Sequence, residues 1–174
     1  MFHHVKKTVN SYFLYFTSIF IVIILFGCAA PSSNLACTSG SLVTIPSKPD
    51  DWHSEIFTPT NIEVKKGDIL SFTASGTWNL GLGPVGSDGK DDWCECTISE
   101  PSGEGFRGPV GALIGRIGNQ GSPFLIGAQN IVTADADGIL YLGSNENMGP
   151  CNNVDRGSCY EDNRGTMNVC IEIK

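Results

Sequence analysis

Side chains that could ligate a metal are concentrated between two strand-like segments near the end of the chain. Residues 138–145 read GILYLGSN and residues 166–174 read TMNVCIEIK. The positions between them are rich in acidic and amide residues: Asn145, Glu146, Asn147, Asp155, Glu161, Asp162 and Asn163. Carboxylates and amides offer hard oxygen ligands, which suit calcium. The pattern predicts a calcium-binding loop, and the alternative is a solvated acidic loop that holds no metal.

Three other patterns resemble ligand sites only superficially. Residues 133–144 lack the first aspartate and the final glutamate of an EF-hand loop. Residues 83–90 place their first glycine out of register for a phosphate-binding loop. Gly115, Gly118 and Gly121 are turn glycines, because no helix-like segment follows them as a dinucleotide site requires.

Catalytic chemistry has little support. Beyond the N-terminal segment His53 is the only histidine, whereas zinc sites and nucleophile–histidine sites rely on that residue. No pair of carboxylates has a readable spacing. We therefore predict that the protein is not an enzyme.

The first 27 residues carry the pattern of a bacterial lipoprotein signal. Lys6 and Lys7 precede the apolar run of residues 12–26, and Gly27 is followed directly by Cys28. A plain signal peptide ends in a small-residue cleavage site; a small residue before a cysteine resembles a lipobox, whose cysteine is lipidated and becomes residue one. The alternative is an uncleaved transmembrane anchor, because the apolar run approaches the length of a membrane span.

Residues 28–41 are predicted to be a lipidated terminus and tether, and residues 42–174 a single domain. Cleavage before Cys28 removes 27 of the 174 residues and leaves 147, enough for one hydrophobic core. Ala29 after the cysteine predicts an outer-membrane position in the cell envelope, with the lipid anchor in the membrane. Loss of the two early lysines changes the formal net charge from −7 to −9. No basic run remains, which argues against a nucleic-acid partner.

Six further cysteines predict disulfides in an exported domain. They are Cys37, Cys94, Cys96, Cys151, Cys159 and Cys170. We expect Cys37 to pair with Cys170, which would fasten the start of the domain to its last strand. The other four would then bond between the early pair and the late pair, or Cys151 would close on Cys159. Thiolate metal ligation is the alternative, but the spacing differs from that of zinc sites.

Short alternating segments separated by turn residues predict an all-β sandwich. In residues 69–75, Leu70, Phe72 and Ala74 fall on one face of a strand. Asp137 and Gly138 predict a hairpin turn. Residues 79–107 show little periodicity and predict a long loop stapled by cysteines. The other strand candidates are residues 42–45, 61–64, 110–118, 124–127, 131–134 and the two segments that flank the acidic loop.

Four motifs occur in an order and spacing that resemble the PA-IL (LecA-like) galactophilic lectins. They are VKKGDILSFTASGTW, GALIGRIGNQG, GILYLGSNEN and YEDNRGTMNVCI, and the resemblance covers residues 62–173. It implies a jelly-roll β-sandwich with one bound calcium ion to which sugar hydroxyls bind directly. The implied ligand is a galactose-type glycan.

The resemblance also implies a set of calcium ligands. Asn145 falls at the position of the family's first aspartate, and Asp162 and Asn163 fall at its consecutive pair. These three side chains would also accept hydrogen bonds from the sugar. Backbone carbonyls near Leu80 and Cys159 would complete the coordination.

The chain departs from the family pattern in two ways. Asn145 is neutral where the family has a carboxylate, which predicts weaker calcium binding unless Glu146 or Asp155 contributes. The family's sugar-contacting His and Gln, expected within residues 88–105, have no counterpart.

Two functions follow as hypotheses. The first is non-catalytic, calcium-dependent glycan binding, in which Trp78 or Trp93 stacks on a sugar face unless it belongs to the core. The second is a structural or protein-binding envelope lipoprotein that kept the sandwich without sugar binding. The oligomeric state does not follow from the sequence.

Overall fold

A computed structural model describes residues 36–50, 56–81, 83–97, 106–146 and 160–174, and for residues 91–97 it describes the backbone alone. Eleven strands lie within these ranges. They are β1 (Ser41–Pro46), β2 (Thr58–Val64), β3 (Ile69–Asn79), β4 (Pro84–Val85), β5 (Lys90–Thr97), β6 (Phe106–Val110), β7 (Leu113–Ile117), β8 (Phe124–Leu125), β9 (Gln129–Thr133), β10 (Gly138–Ser144) and β11 (Arg164–Ile173).

The strands form two main antiparallel sheets and a separate hairpin. In the five-stranded sheet, β11 lies between β1 and β3, and the other edge of β3 pairs with both β4 and β9. The four-stranded sheet has the order β2-β10-β7-β8, and β5 pairs with β6. The predicted all-β sandwich is therefore confirmed.

The main core lies between the two sheets. Leu70 and Phe72 of β3 are buried in one cluster with Leu140 and Leu142 of β10 and with other apolar side chains. Alternate residues of a strand point to opposite faces, so the pattern within residues 69–75 correctly predicted the core face of β3. Ala74 packs against the same cluster.

The predicted disulfide between Cys37 and Cys170 is present and joins residues 133 positions apart. It ties the segment before β1 to β11, which itself pairs with β1 from Ser41↔Ile171 to Pro46↔Thr166. The start and the end of the domain are thus held together by a covalent bond and by a strand ladder. Cys94 and Cys96 lie on β5 without described side chains, and Cys151 and Cys159 lie outside the described residues.

The prediction of a long loop over residues 79–107 was wrong. Strands β4, β5 and β6 occupy much of it, and β5 and β6 form an antiparallel hairpin. The register of that hairpin shifts between Lys90 and Trp93 and again between Glu95 and Thr97. Such bulges interrupt the period-two alternation by which a strand is read from sequence.

The prediction of a hairpin at Asp137 and Gly138 was also wrong. The turn exists, but β9 pairs with β3 in one sheet and β10 pairs with β2 and β7 in the other. The Asp137 carboxylate accepts a hydrogen bond of 2.7 Å from the backbone N–H of Lys66. This contact holds the turn against the β2–β3 connection, at the point where the chain passes from one sheet to the other.

The lipoprotein prediction falls outside the described residues, because residues 1–35 and Cys28 among them are not described. His53 and Asp155 also lie outside them. Within the described ranges no helix has the length and apolar character needed to span a membrane.

Candidate metal centre

Asn145 directly follows β10 and is held against the turn between β6 and β7. Its backbone N–H donates to the Ala112 carbonyl at 2.8 Å, and its own carbonyl accepts from the Gly111 N–H at 2.7 Å. Its side-chain Nδ2 donates to the Pro109 carbonyl at 3.0 Å. Two backbone hydrogen bonds and one side-chain hydrogen bond therefore fix this residue, which is fully buried.

Asp162 and Asn163 lie in a tight turn immediately before β11. The Asn163 N–H donates to the Tyr160 carbonyl at 3.2 Å. The Arg164 guanidinium donates to the carbonyls of Glu161 and Asn163, each at 2.7 Å. Tyr160 is buried in a small apolar cluster with Ile56, Phe57 and Ile114. The buried ring and the guanidinium fix the turn that presents both predicted ligands.

The side chain of Asn163 connects this turn to the end of β10. Its Nδ2 donates to the Glu146 Oε2 at 3.1 Å and to the Ser47 carbonyl at 3.3 Å. Glu146 is only 4% exposed and Asn163 only 2%. We call Asn145, Glu146 and Asn163 the amide cluster. It brings residues from the two ends of the acidic loop together inside the protein.

The amide cluster contains two buried oxygen acceptors that lack a partner. Neither Asn145 Oδ1 nor Asn163 Oδ1 has a hydrogen bond from any residue that the structure describes. A buried polar atom without a partner costs roughly 1–3 kcal/mol. Native proteins retain few such atoms, and each asks for an explanation such as an ion or a water molecule.

Asp162 lies beside the loop that follows β3. It is exposed, and its Oδ2 lies 2.5 Å from the position that a Cβ atom would take on Gly81. Gly81 has φ +77°, a backbone conformation that favours glycine. The neighbouring Leu80 is 5% exposed and reaches Gly111, whose N–H binds Asn145.

The structure places the described members of the predicted site on three segments. The loop after β3 lies beside Asp162, and Asn163 contacts Glu146, the residue that follows Asn145. Glu146, predicted as a possible additional carboxylate, belongs to the same cluster. Cys159, Asn147 and Asp155 lie outside the described residues. Among the described residues no group of three or more His, Cys, Asp or Glu could hold a metal.

Trp78 belongs to the core rather than to a sugar-stacking surface. It is 1% exposed, and its Nε1 donates to the Gly111 carbonyl at 2.7 Å. It therefore helps to hold the turn that binds Asn145. The side chain of Trp93 is not among those described.

Sequence reasoning missed the residues that support the site. No local signal marks the Ser47 carbonyl, which lies 116 positions from its donor Asn163. Tyr160 had a signal, since it is an aromatic residue immediately before the polar stretch EDN. An isolated aromatic residue at that point is typical of an anchor for the adjoining turn.

Comparison with known proteins supports the fold. No family model and no curated protein matches the chain. Among solved structures, the chain is similar to the N-terminal domain of EclA, described as a PllA-like lectin, with 20% sequence identity and a TM-score of 0.50. The match covers 76% of this chain and 95% of that chain. At this identity the likeness concerns the fold alone, and the fold is that of a lectin-like β-sandwich.

Proposed function

We propose that this protein is a calcium-dependent, carbohydrate-binding lipoprotein. Asn145 Oδ1, Asn163 Oδ1 and the Asp162 carboxylate would hold the ion, with carbonyls near Leu80 and Cys159. The bound ion would supply a positive centre that accepts sugar hydroxyls as ligands. Lipidation at Cys28 would anchor the domain in the outer membrane.

The two unpartnered amide oxygens carry this proposal. They belong to the two asparagines that the resemblance implies as calcium ligands, although the sequence separates them by 18 positions. An amide kept only for structure is expected to have its oxygen satisfied. A calcium ion would satisfy both oxygens, because amide and carboxylate oxygens are its usual ligands.

Access from solvent is consistent with a binding role. Asp162 is exposed, whereas the two asparagines are buried. An ion held between them would therefore have a protein side and an open side. Galactose-type glycans are the first to test, although the chain lacks the His and Gln that the resemblance leads one to expect.

The second candidate is an envelope module that binds a protein partner without calcium. The observation that favours it is the hydrogen bond from Asn163 Nδ2 to Glu146. This bond gives the buried carboxylate a neutral donor and stabilises the cluster without a metal. Glycan binding would then be absent even though the sandwich is intact.

Thermal unfolding of the purified full chain, in excess calcium and in excess chelator, separates the two candidates. Calcium at 100 times its Kd adds about 2.7 kcal/mol to the free energy of unfolding. For a domain of this size this raises the Tm by roughly 5–10 °C. Asp162→Ala should abolish the shift, and Asp135→Ala, at an exposed aspartate on the β9–β10 turn, should retain it.

A glycan array in calcium and in chelator then tests the sugar. Binding that disappears with chelator and with Asp162→Ala supports the lectin function. If the wild-type protein unfolds identically in calcium and in chelator, the proposed metal site is wrong and the second candidate is preferred.

A further inference from the structure

A cavity of about 690 Å³ lies on the outer face of the four-stranded sheet, and none of its described lining residues belongs to the amide cluster. Its lining includes Asp50 after β1, Phe57 and Thr58 at the start of β2, and Tyr141 on β10. Leu140 and Leu142 point into the core, so Tyr141 between them points to the opposite face. The volume falls within the range of small-molecule sites, about 300–1,000 Å³.

The aromatic side of the cavity is rigidly supported. Arg116 pairs with Tyr141 across β7 and β10 and is 2% exposed. Its guanidinium carbon lies 4.5 Å from the ring centroid of Phe57 and 5.2 Å from that of Tyr141. Both distances permit cation–π contacts. The two rings are therefore held in place before any ligand binds, which lowers the entropy cost of binding.

The loop between β7 and β8 supplies Asn119 and Gln120, two exposed amides that also line the cavity. Gly118 has φ +73°, and its N–H donates to the Ile139 carbonyl at 2.8 Å. A Cβ atom at Gly121 would overlap the carbonyl oxygen of Ile117. The two glycines thus allow a tight loop that is tied to β10, and this loop places both amides at the cavity.

Thr58 provides a buried polar group that lacks a partner. Its Oγ1 is inaccessible to solvent and has no hydrogen bond from or to any described residue. The nearby Thr60 shows the contrast, because its Oγ1 donates to the Leu140 carbonyl at 2.8 Å. Because this oxygen is inaccessible to solvent, it lies behind the cavity wall, and a ligand in the cavity does not reach it in this conformation.

The lining also indicates the chemistry of the ligand. The side-chain amides of Asn119 and Gln120 can donate to or accept from adjacent hydroxyl groups, and the Asp50 carboxylate can accept from them. Tyr141 offers a flat apolar surface. Vicinal hydroxyls beside a C–H face are the chemistry of a pyranose ring. The one charged side chain among the described lining residues is Asp50, which would repel an acidic sugar.

We propose that this cavity is a second, calcium-independent subsite for a neutral saccharide. This subsite would bind the same class of ligand as the proposed calcium site, but it uses none of the same side chains. Either proposal can therefore be contradicted without affecting the other. Residues 47–50 border both sites, since the Ser47 carbonyl binds Asn163 and Asp50 lines the cavity.

Saturation-transfer NMR on the purified full chain in excess EGTA tests this proposal. The probes are neutral disaccharides of glucose, galactose and mannose, with a sialylated lactose as the acidic control. We expect transfer to at least one neutral probe and none to the acidic one. Failure of every neutral probe to show transfer would overturn the proposal.

Variants of Tyr141 assign any binding to the cavity. Thr58→Val removes a hydroxyl that lies behind the cavity wall, so we expect unchanged binding with the Tm unchanged or higher. Tyr141→Ala should abolish binding, whereas Tyr141→Phe should keep the stacking surface and most of the affinity. Thr133→Val on the exposed face of β9 is the matched control and should have no effect.

The results also separate this subsite from the calcium site. Asp162→Ala should leave binding in EGTA unchanged, because that residue does not line the cavity. Binding in EGTA that survives Tyr141→Ala would place the sugar elsewhere and contradict the proposal.

Discussion

Two pairs of asparagines in this molecule lie in opposite surroundings. On the outer face of the five-stranded sheet, Asn168 Oδ1 accepts a hydrogen bond from Thr44 Oγ1 at 2.8 Å. At the end of β3, the Oδ1 of the exposed Asn79 accepts hydrogen bonds from two backbone N–H groups, those of Gly81 and Gly83. These oxygens have protein partners, and water can reach them.

The amide cluster differs in both respects. Asn145 and Asn163 are buried, and their Oδ1 atoms have no partner among the described residues. The oxygen of the same type of side chain thus has protein partners in one region and no partner among the described residues in the other. The comparison indicates that burial without a partner, rather than residue type, marks the candidate site.

The largest effect on stability is expected from removal of the disulfide between Cys37 and Cys170, which lies outside the amide cluster. Cys37→Ala/Cys170→Ala opens a link across 133 positions and should lower the free energy of unfolding by roughly 2–5 kcal/mol. Chemical denaturation measures the loss. The stabilisation by added calcium should persist. Its disappearance together with the disulfide would show that the two regions are not independent.

Asn163→Ala should have the next largest effect. It removes the Nδ2 group that donates hydrogen bonds to the Ser47 carbonyl and to the buried Glu146 carboxylate. In chelator this should lower the free energy of unfolding by roughly 2–3 kcal/mol. The calcium response should also be lost. The matched control is Asn168→Ala, which should cost less than about 1 kcal/mol and keep the calcium response. Equal behaviour of the two variants would contradict the comparison.

Asn145→Asp should tighten calcium binding but lower the free energy of unfolding in chelator. An added carboxylate ligand should tighten calcium binding by about tenfold. In chelator the variant should lose roughly 1–3 kcal/mol, because it loses the Nδ2 donor to Pro109 and buries a second acid near Glu146. Calorimetric titration and denaturation measure the two quantities. Weaker calcium binding by this variant would argue against Asn145 as a ligand.

The smallest effect is expected at the glycines beside Asp162. Gly81 and Gly83 both have positive φ, +77° and +89°, so alanine should strain either position by about 1 kcal/mol. A Cβ atom at Gly81 would approach Asp162 Oδ2, whereas one at Gly83 meets nothing within 4 Å. Gly81→Ala should therefore weaken calcium binding several-fold more than Gly83→Ala. Identical calcium affinities would remove Asp162 from the site.

Much of the fold was predictable because strand alternation is a local property. The apolar face of β3 and the closing strand β11 could be read from neighbouring residues alone. The hairpin of β5 and β6 could not, since its bulges disrupt alternation. The strand that pairs with β9 could not be predicted either. A turn at Asp137 is compatible with a hairpin and also with a crossing to the other sheet, which is what the structure shows.

The candidate site likewise has some features that the sequence predicted and others that only the structure revealed. The order of the cysteines led to the expectation of a disulfide between Cys37 and Cys170, which is present, and the resemblance to the PA-IL lectins implied Asn145, Asp162 and Asn163 as candidate ligands. Only the tertiary structure decided that Asn163 contacts Glu146 and that two amide oxygens are buried without a partner among the described residues. Burial and hydrogen bonding of a side chain depend on segments distant in sequence, such as the one that carries Ser47. Local sequence patterns therefore do not predict those contacts.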